Sequence, residues 1–338
     1  MLSSDQKWIK DTISHRTNNR GVPYHFDFTP PASEKLARYF GDPDLENILG
    51  LPIRWAGPKS IKPLYADTKT YGKVLKDEFG VTWNISDKDR GTPIPCLAES
   101  DISKYKFPDP YESYRFEDLY EWCNENATHY RVIWAGDLWE RATFIRGMEN
   151  LLMDVATNKN FVKKLLRGIA DYFIATMELM NERFDFEAFS ISDDYGTQSD
   201  LMISPADWRS IIKPYLLEIS KVAKKSGKEL MIHSDGNIYS IIGDLIDIGI
   251  DIIHPIQPEA MDVYKLKKEF GELVTFEGGL STQKLLSFGT PEEIQREIEK
   301  LKGKIGKNGG YILEPGITLQ GDIPLENLIA MIEAAKSN

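Results

Sequence analysis

The feature that most constrains this chain is a repeated pairing of short apolar runs with ionisable residues in its second half. Five runs, AFSIS, ELMI, DII, LVTF and GYIL, each lead directly into acidic or histidine side chains. The residues that follow these runs are, in order, Asp193 and Asp194, His233 and Asp235, His254, Glu277, and Glu314. In a parallel barrel the carboxyl ends of the strands meet at one rim, where active sites are built. The pattern therefore predicts an enzyme whose site lies at that rim.

The composition excludes several other classes of protein. A net charge of −11 and a pI of about 5.1 argue against a partner as rich in phosphate as nucleic acid. No run of about 18 apolar residues is present, so no membrane span is expected. The N-terminus lacks the apolar stretch of a secretory signal. The only cysteines, Cys96 and Cys123, exclude a disulfide scaffold and an all-thiolate zinc site. We therefore expect a cytoplasmic protein with neither nucleic acid nor membrane as a partner.

The order of the predicted elements indicates one α/β domain over residues 1–338. In residues 126–338, apolar strands alternate with single amphipathic helices, which is typical of right-handed βαβ units and a parallel sheet. The capping box Thr290–Glu293 marks the start of one of these helices. Residues 1–125 are irregular and predict an N-terminal extension with lid segments. The repeats favour a single (β/α)8 TIM-type barrel, and no GxGxxG or Walker A loop supports an open nucleotide-binding sheet.

The segment MIHSDGN offers the sharpest candidate for chemistry. His233 and Asp235 are two residues apart at a strand end, so their side chains point to the same side of the sheet. An imidazole and a carboxylate there supply half of a zinc site, and Glu277 and Glu314, each after an apolar strand and before a glycine-containing turn, are candidates for the remaining ligands. The alternatives are a His–Asp pair that only orders the loop, and ion pairs across the rim for the two glutamates.

Two further groups are candidate catalytic residues. Adjacent aspartates cannot face the same way, so one of Asp193 and Asp194 is expected to bind substrate or exchange a proton while the other caps a turn. The alternative for this pair is a loop that binds its own backbone. His254, held in extended backbone by Pro255, is expected to bind a metal, to act as acid or base near neutral pH, or to donate to a carbonyl.

Long ordered blocks over residues 105–338 resemble the uroporphyrinogen decarboxylase superfamily, in the branch of zinc- and cobalamin-dependent methyltransferases. The blocks are LWERATFIRGMENLLMD, ISDDYGTQSDLMISPADWRSIIKPYL, IHSDG, DIIHPIQPEAMDVYKLKKEFG, VTFEGGLSTQKLLSFGTPEEI and GGYILEPGITLQGDIPLENLIAM. The resemblance implies a TIM-type barrel with its site at the carboxyl-terminal rim, which agrees with the interpretation of the strand ends.

The chain departs from the family pattern in two places. The arginine-rich N-terminal signature with which the decarboxylase proper grips its porphyrin is absent, which argues against that activity. The methyltransferases hold zinc through a His-x-Cys pair and a later cysteine, where this chain has His233, Asp235 and Ile317. Glu277 and Glu314 offer oxygen ligands instead. Such a harder site suits activation of an ether oxygen or an amine better than of a thiol.

The resemblance thus implies a corrinoid-dependent methyltransferase of the O-demethylase type. It would move a methyl group from a small methoxylated or methylated donor to the cobalamin of a partner corrinoid protein. The implied metal is zinc, with ligands drawn from His233, Asp235, Glu277 and Glu314. The implied catalytic residues are Asp193, Asp194 and His254, and the implied substrate-binding residues are Tyr195, Gln198, Gln257 and Glu140. The alternatives are a metal-free decarboxylase-like lyase acting on a small acid, and a binding barrel without catalysis.

Overall fold

The fold is taken from a computed structural model, which describes residues 2–86 and 88–337. Its strands, in chain order, are β1 (Ile53–Ala56), β2 (Val74–Lys76), β3 (Thr82–Asn84), β4 (Thr92–Ile94), β5 (Tyr130–Asp137), β6 (Ala188–Ser192), β7 (Glu229–His233), β8 (Ile252–Ile256), β9 (Thr275–Leu280) and β10 (Tyr311–Pro315).

The helices lie between and around these strands. In chain order they are α1 (Ser4–Ile13), α2 (Pro30–Phe40), α3 (Leu45–Leu49), α4 (Thr68–Tyr71), α5 (Leu119–Glu125), α6 (Trp139–Arg146), α7 (Met148–Thr157), α8 (Lys159–Arg183), α9 (Pro205–Ile211), α10 (Lys213–Lys225), α11 (Ile242–Asp247), α12 (Val263–Phe270), α13 (Pro291–Lys304) and α14 (Leu325–Lys336). Short 3₁₀ helices span Ser113–Phe116 and Tyr239–Ile241, and a π-helical turn spans Thr282–Leu286. Among the residues described, no helix combines the length and apolar character needed to cross a membrane.

Seven strands form one parallel sheet in the order β1-β5-β6-β7-β8-β9-β10. Each neighbour in this sheet from β5 onward is also the next strand along the chain, as expected for successive βαβ units. The strands β2, β3 and β4 form a separate antiparallel sheet in that order. The alternation predicted from the sequence is confirmed, and the curled parallel sheet with surrounding helices is a TIM-type barrel.

An N-terminal segment, residues 23–29, lies along the outer edge of β10. The Leu313 amide donates to the Pro23 carbonyl at 2.8 Å, and the His25 amide donates to the Leu313 carbonyl at 3.0 Å. On the other side, the His25 ring stacks on Trp55 of β1 with 5.9 Å between ring centroids. The segment therefore occupies the gap between the two edge strands of the sheet.

The first 125 residues thus do more than the predicted extension and lids, because they supply β1 and the edge segment of the barrel. The regular alternation of strands and helices starts at β5, within the predicted range of residues 126–338. The sequence pattern missed β1 because IRWA is only four residues long and is followed by no helix of comparable length. The short apolar run of the edge segment is likewise interrupted by His25 and Asp27.

The interior of the barrel changes from apolar to polar along the strands. Its lower layer is a small buried cluster contributed by α1 and four strands: Ile9, Ile53, Tyr130, Val132, Ala188 and Ile312. Because side chains two residues apart on a strand share a face, Glu314 and Trp55 lie directly above Ile312 and Ile53. The apolar layer therefore closes the amino-terminal end, and polar groups collect at the carboxyl end.

Hydrogen bonds confirm the predicted helix start at Thr290 and show a similar cap at the start of α9. Thr290 accepts from the Glu293 amide at 3.3 Å, and Glu293 accepts from the Thr290 amide at 2.9 Å, which completes the capping box of α13. Ser204 accepts from the Asp207 amide at the start of α9, which has a proline in its first turn. These caps satisfy backbone donors that have no partner inside the helix.

Candidate active site

The strand ends place two groups of metal-ligating side chains in the upper part of the barrel. The first, here called the rim cluster, consists of Asp194, His233 and Asp235. The second, here called the buried cluster, consists of His25, Glu277 and Glu314. Within each group, one possible ligand atom from every residue lies within 4.8 Å of the others.

The rim cluster is half-buried and opens toward the barrel mouth. The Nε2 atom of His233 lies 3.5 Å from Asp194 Oδ1 and 3.9 Å from Asp235 Oδ1. The exposed fractions of the three side chains are 30% for His233, 33% for Asp194 and 38% for Asp235. The cluster thus presents one nitrogen and two oxygen ligands to solvent, which leaves room for a further ligand.

Hydrogen bonds from the surrounding loops hold the rim cluster in place. The Asp235 amide donates to Asp194 Oδ1 at 2.9 Å, and Gln257 Nε2 donates to Asp235 Oδ1 at 3.0 Å. Gln257 Oε1 in turn accepts from the Gly236 amide at 2.7 Å. Gly236 has φ +80°, and a Cβ there would lie 2.6 Å from the backbone of Gly196. Only glycine therefore lets the two loops approach closely enough to form this arrangement.

The buried cluster lies deeper, where the edge segment meets β9 and β10. His25 Nδ1 lies 3.2 Å from Glu314 Oε1 and 3.9 Å from Glu277 Oε1. Glu277 has no exposed surface, and neither of its carboxyl oxygens has a hydrogen-bond partner among the described residues. Buried polar atoms are almost always paired in proteins, so this orphaned carboxyl requires an explanation.

His254 lies between the two clusters and contacts both. Its Nδ1 atom is 3.0 Å from Nδ1 of His233, and its Nε2 atom is 2.9 Å from Glu314 Oε2. The four side chains predicted to hold one metal are therefore divided: His233 and Asp235 belong to the rim, and Glu277 and Glu314 belong to the interior. One imidazole separates the two pairs.

In the interior, burial and the neighbouring charges shift the pKa values of Glu314, His254 and His25 in opposite directions. Burial disfavours ionisation of Glu314, but the positive charges of His254 and His25 and the hydrogen bonds to it lower its pKa to about 2. Burial also disfavours the charged form of His254, yet Glu314 and Glu277 raise its pKa to about 9. In the same way, Asp27, Glu314 and Glu277 outweigh burial and raise the pKa of His25 to about 10. The interior thus favours one ionised glutamate between two imidazolium groups.

The pKa values of Glu277, Asp235 and His233 shift in the opposite sense to those of Glu314 and the other two histidines. Burial, reinforced by the charge of Glu314, raises the pKa of Glu277 to about 8. At the rim, burial and then the nearby Asp194 raise the pKa of Asp235 to about 7. Burial together with the positive charge of His254 lowers the pKa of His233 to about 4. His233 is therefore neutral near pH 7 and carries the free electron pair that a metal ligand requires.

The structure separates the roles of the adjacent aspartates. Asp193 is 1% exposed and caps the start of α6, since its Oδ1 accepts from the amides of Trp139 and Glu140. Its Oδ2 accepts from the Tyr195 hydroxyl at 2.5 Å. Burial raises the pKa of Asp193 above its ordinary value. Asp194 alone faces the rim. Asp193 is thus the aspartate that caps, and a role of Asp194 in substrate binding or proton exchange stays a prediction.

Three of the residues predicted to bind substrate have other surroundings. Tyr195 is 1% exposed, its hydroxyl bonds Asp193, and its ring packs edge-on against Trp208. Gln198 is exposed on the loop after β6. Glu140 is buried and pairs with Arg90 at 2.8 Å rather than with the arginines that follow it in sequence. Tyr195 is therefore a packing residue, whereas Gln257 orders Asp235 as described above.

Glu140 nonetheless lies close enough to the rim cluster for the charge of Asp194 to raise its pKa. Burial raises its pKa to about 7, with Arg90 opposing that rise and Asp194 adding to it. The arginines next to it in sequence are engaged elsewhere, because Arg141 pairs with Asp137 at 3.0 Å and Arg146 pairs with Asp154 at 2.7 Å.

Sequence reasoning missed His25 and Arg90. His25 lies in VPYHFDF, a short aromatic run outside the regular repeats, and a histidine flanked by apolar residues was the available signal. Arg90 lies in the charged segment SDKDRG before β4, where nothing distinguishes it from a solvated loop residue.

Comparison with solved structures finds a protein whose overall fold is similar along the full length of this chain. A structure described as a methyltransferase from Methanosarcina mazei superposes with a TM-score of 0.70 at 16% sequence identity, covering 99% of this chain and 98% of that chain. A GH10 endo-β-1,4-xylanase from Gloeophyllum trabeum superposes with a TM-score of 0.41 at 12% identity, covering 71% of this chain and 83% of that one. A search of curated proteins finds no matching sequence.

A family model gives the most direct assignment. The model described as uroporphyrinogen decarboxylase (URO-D) matches residues 74–338, which include the small antiparallel sheet, β5 to β10 and every residue of the rim cluster. The match extends further toward the N-terminus than the blocks that carry the resemblance in the sequence. The chain belongs to the uroporphyrinogen decarboxylase family.

Proposed function

We propose that this chain is a methyltransferase of the O-demethylase type, which passes a methyl group from a small methoxylated donor to the cobalt of a corrinoid partner protein. The observation that carries the proposal is the rim cluster, where Asp194, His233 and Asp235 converge at the open end of the barrel. The full-length structural similarity to a protein described as a methyltransferase supports this activity, although that similarity concerns the fold.

The donor set of the rim cluster fits zinc. Catalytic zinc sites commonly have three protein ligands of nitrogen and oxygen type and one open position. With ligand bonds of about 2.0–2.1 Å, tetrahedral geometry places ligand atoms about 3.3–3.4 Å apart. The distances of 3.5 and 3.9 Å from His233 Nε2 to the two aspartates lie close to this spacing. Asp194 takes the third position, which the sequence had assigned to the glutamates.

The neighbours of the rim cluster orient its ligands. For His233 Nε2 to bind a metal, its Nδ1 must carry the proton and donate to Nδ1 of His254, so metal binding requires His254 to release its own Nδ1 proton and keep the proton on Nε2. The Nε2 atom of His254 lies 2.9 Å from Glu314 Oε2. The Glu314 carboxylate therefore orients the His254 ring, which in turn orients His233. Gln257 does the same for Asp235. Such outer partners typically tune metal ligands and hold them rigid.

The chemistry requires an electrophilic group at the departing oxygen and an open path for the acceptor. When bound, zinc would supply Lewis acidity toward the methoxy oxygen, which keeps the C–O electron pair and is protonated by water, while the new bond uses the electron pair of reduced cobalt. The carboxylates of Asp194 and Asp235 would balance the positive charge of the metal, and the imidazole of His233 would fix its position. The half-exposed rim leaves the methyl group accessible to a large docked partner.

The test is a methyl-transfer assay with defined probes. Zinc-loaded protein is mixed with 2-methoxyphenol and chemically reduced free cobalamin, and release of catechol is followed together with loss of the reduced cobalamin spectrum. We expect wild-type protein to release catechol and His233→Ala to lose at least 100-fold in rate. His129→Ala, a histidine variant at the amino-terminal end of β5 and therefore at the opposite end of the barrel, serves as the matched control and should retain the wild-type rate.

The proposal fails if neither 2-methoxyphenol nor a panel of other methoxylated aromatic and aliphatic ethers yields a demethylated product. It also fails if His233→Ala and His129→Ala have equal rates, because the rim cluster would then have no part in the reaction.

A further inference from the structure

We propose that the buried cluster is a second binding site for a divalent transition-metal ion, separate from the rim. Its ligands would be His25, Glu277 and Glu314, and its role would be to fasten the edge segment, residues 23–29, to the barrel. This inference does not depend on methyl transfer.

The first argument is the orphaned carboxyl of Glu277. It is completely buried and has no hydrogen-bond partner for either oxygen among the described residues. A carboxyl group in that position loses its hydration without compensation, which is strongly unfavourable. Protein folds rarely retain such a group without a partner, and a bound cation supplies one.

The second argument is the geometry of the three ligands. Two of the ligand separations are 3.2 Å, from His25 Nδ1 to Glu314 Oε1, and 3.9 Å, from His25 Nδ1 to Glu277 Oε1. They bracket the spacing of about 3.3–3.4 Å expected between tetrahedral zinc ligands. Small side-chain adjustments therefore suffice to bring all three atoms into bonding distance of one ion.

The third argument is the chemistry of the donors. Metal binding would displace the protons of His25 and Glu277, because a ligand atom must be deprotonated. The resulting imidazole nitrogen and two carboxylate oxygens suit zinc, manganese or iron(II), whereas calcium and magnesium prefer all-oxygen sites. Two carboxylates carry the charge that neutralises one divalent cation in a dry interior. No thiolate lies in the set, so soft ions such as copper(I) are not favoured.

The position of the cluster explains what such an ion would do. Its three ligands come from three separate stretches of chain, namely the edge segment, β9 and β10. The edge segment is held by two isolated bridges, from Tyr24 to Leu313 of β10 and from Phe28 to Leu319 beyond β10, rather than by a continuous ladder. An ion at the buried cluster would add a cross-link that this weakly paired segment otherwise lacks, since a site formed only on folding couples binding to stability.

The two sites are distinguishable because they share no ligand. His254 contacts His233 on one side and Glu314 on the other, so a single ring stands between them. Substitutions in one cluster can therefore remove its ion while the ligands of the other cluster stay intact.

The test is the stoichiometry of zinc binding. Full-length protein is stripped with chelator, titrated with zinc sulfate and desalted, and its zinc content is measured. We expect two zinc ions per wild-type chain, one in Glu277→Gln and one in His233→Ala. His25→Gln is a second variant of the buried cluster, to be used if Glu277→Gln does not fold as judged by circular dichroism.

Hydrogen exchange of residues 23–29 gives a second readout that does not involve activity. Zinc should slow exchange of this segment at least tenfold in wild-type and in His233→Ala, but not in Glu277→Gln or His25→Gln. One zinc per wild-type chain, lost in His233→Ala and retained in both buried variants, would overturn the inference and leave the proposed function intact. Two zinc ions without methyl transfer would support this inference and contradict the proposed function.

Discussion

The rim cluster and the buried cluster use the same kinds of side chain, yet their environments differ in nearly every respect. The rim side chains are about one-third exposed, and both of its carboxylates accept hydrogen bonds from neighbouring loops. The buried side chains are at most 4% exposed, and Glu277 accepts no hydrogen bond within the described chain. The first arrangement suits a site that exchanges ligands, and the second suits a site that is closed once filled.

The difference shows how depth in a barrel changes the chemistry of one donor set. Water can replace a missing ligand at the rim at little cost, so the rim tolerates an open coordination position. In the interior each unpaired charge must be matched by another group or neutralised by a proton shift. The low pKa of Glu314 and the high pKa of Glu277 are two outcomes of that same constraint.

The largest expected effect is on stability, when the buried carboxyl of Asp193 is removed. Asp193→Ala removes the acceptor of two backbone amides at the start of α6 and of the Tyr195 hydroxyl. Three buried donors without partners predict a loss of about 4 kcal/mol in the free energy of unfolding. Urea denaturation measures this free energy. A loss below about 1 kcal/mol would show that the hydrogen bonds of Asp193 do not stabilise the start of α6.

The next effect separates the two glutamates of the interior. Glu314→Gln leaves His25 and His254 without their shared carboxylate, which predicts a loss of about 3 kcal/mol in metal-free protein at pH 7. The measurement is again urea denaturation, after removal of metal with chelator.

The matched control for that variant is Glu277→Gln. Because the raised pKa of Glu277 leaves it largely protonated at pH 7, an amide resembles its dominant form. We therefore expect a change within about 1 kcal/mol in metal-free protein. Equal losses in the two variants would contradict the contrast between a paired and an orphaned carboxyl.

A pH dependence tests the acidic surroundings of the rim. The pKa of Glu140 is raised from 4.5 to about 7, so its stabilising contribution is full below pH 4.5 and is lost as the pH rises through 7. Relative to Glu140→Gln, wild-type protein should lose up to about 1.4 kcal/mol of stability per pH unit across this window. Thermal or urea unfolding at pH 5, 6 and 7 checks the slope, and parallel stability curves would show that the carboxyl is not perturbed.

The smallest expected effect is at the exposed loop. Gln198→Ala should change the free energy of unfolding by no more than about 0.5 kcal/mol, because its side chain makes no hydrogen bond in the described structure. Urea denaturation checks this value, and a larger loss would indicate that the loop after β6 packs against the site.

The sequence predicted the barrel and the convergence of ionisable side chains at the carboxyl ends of its strands, because both follow from local patterns. A strand of alternating or apolar character followed by a polar tip needs no knowledge of the rest of the chain, so His233, Asp235 and Glu314 were all found. The level at which a side chain lies along the barrel axis does not follow from such local patterns. Glu277 belongs to the body of β9 and Asp235 to the loop beyond β7, so ligands predicted to meet lie at different levels.

Long-range pairing accounts for what was missed. His25 reaches Glu314 across 289 residues of sequence, and Arg90 reaches Glu140 across 50. Nothing near His25 or Arg90 in the chain indicates these partners, since each arises only when the N-terminal segments pack onto the finished barrel. The choice between Asp193 and Asp194 was open for the same reason, because the amides that Asp193 caps belong to the preceding βα connection.

The most direct test of the central claim, that the rim cluster is the catalytic metal site, is an anomalous difference map from crystals of the zinc-loaded protein. Data collected on both sides of the zinc absorption edge would locate each ion. The account predicts a peak within bonding distance of Asp194 Oδ1, His233 Nε2 and Asp235 Oδ1. A fully loaded crystal with no peak at the rim, and zinc only among His25, Glu277 and Glu314, would contradict it.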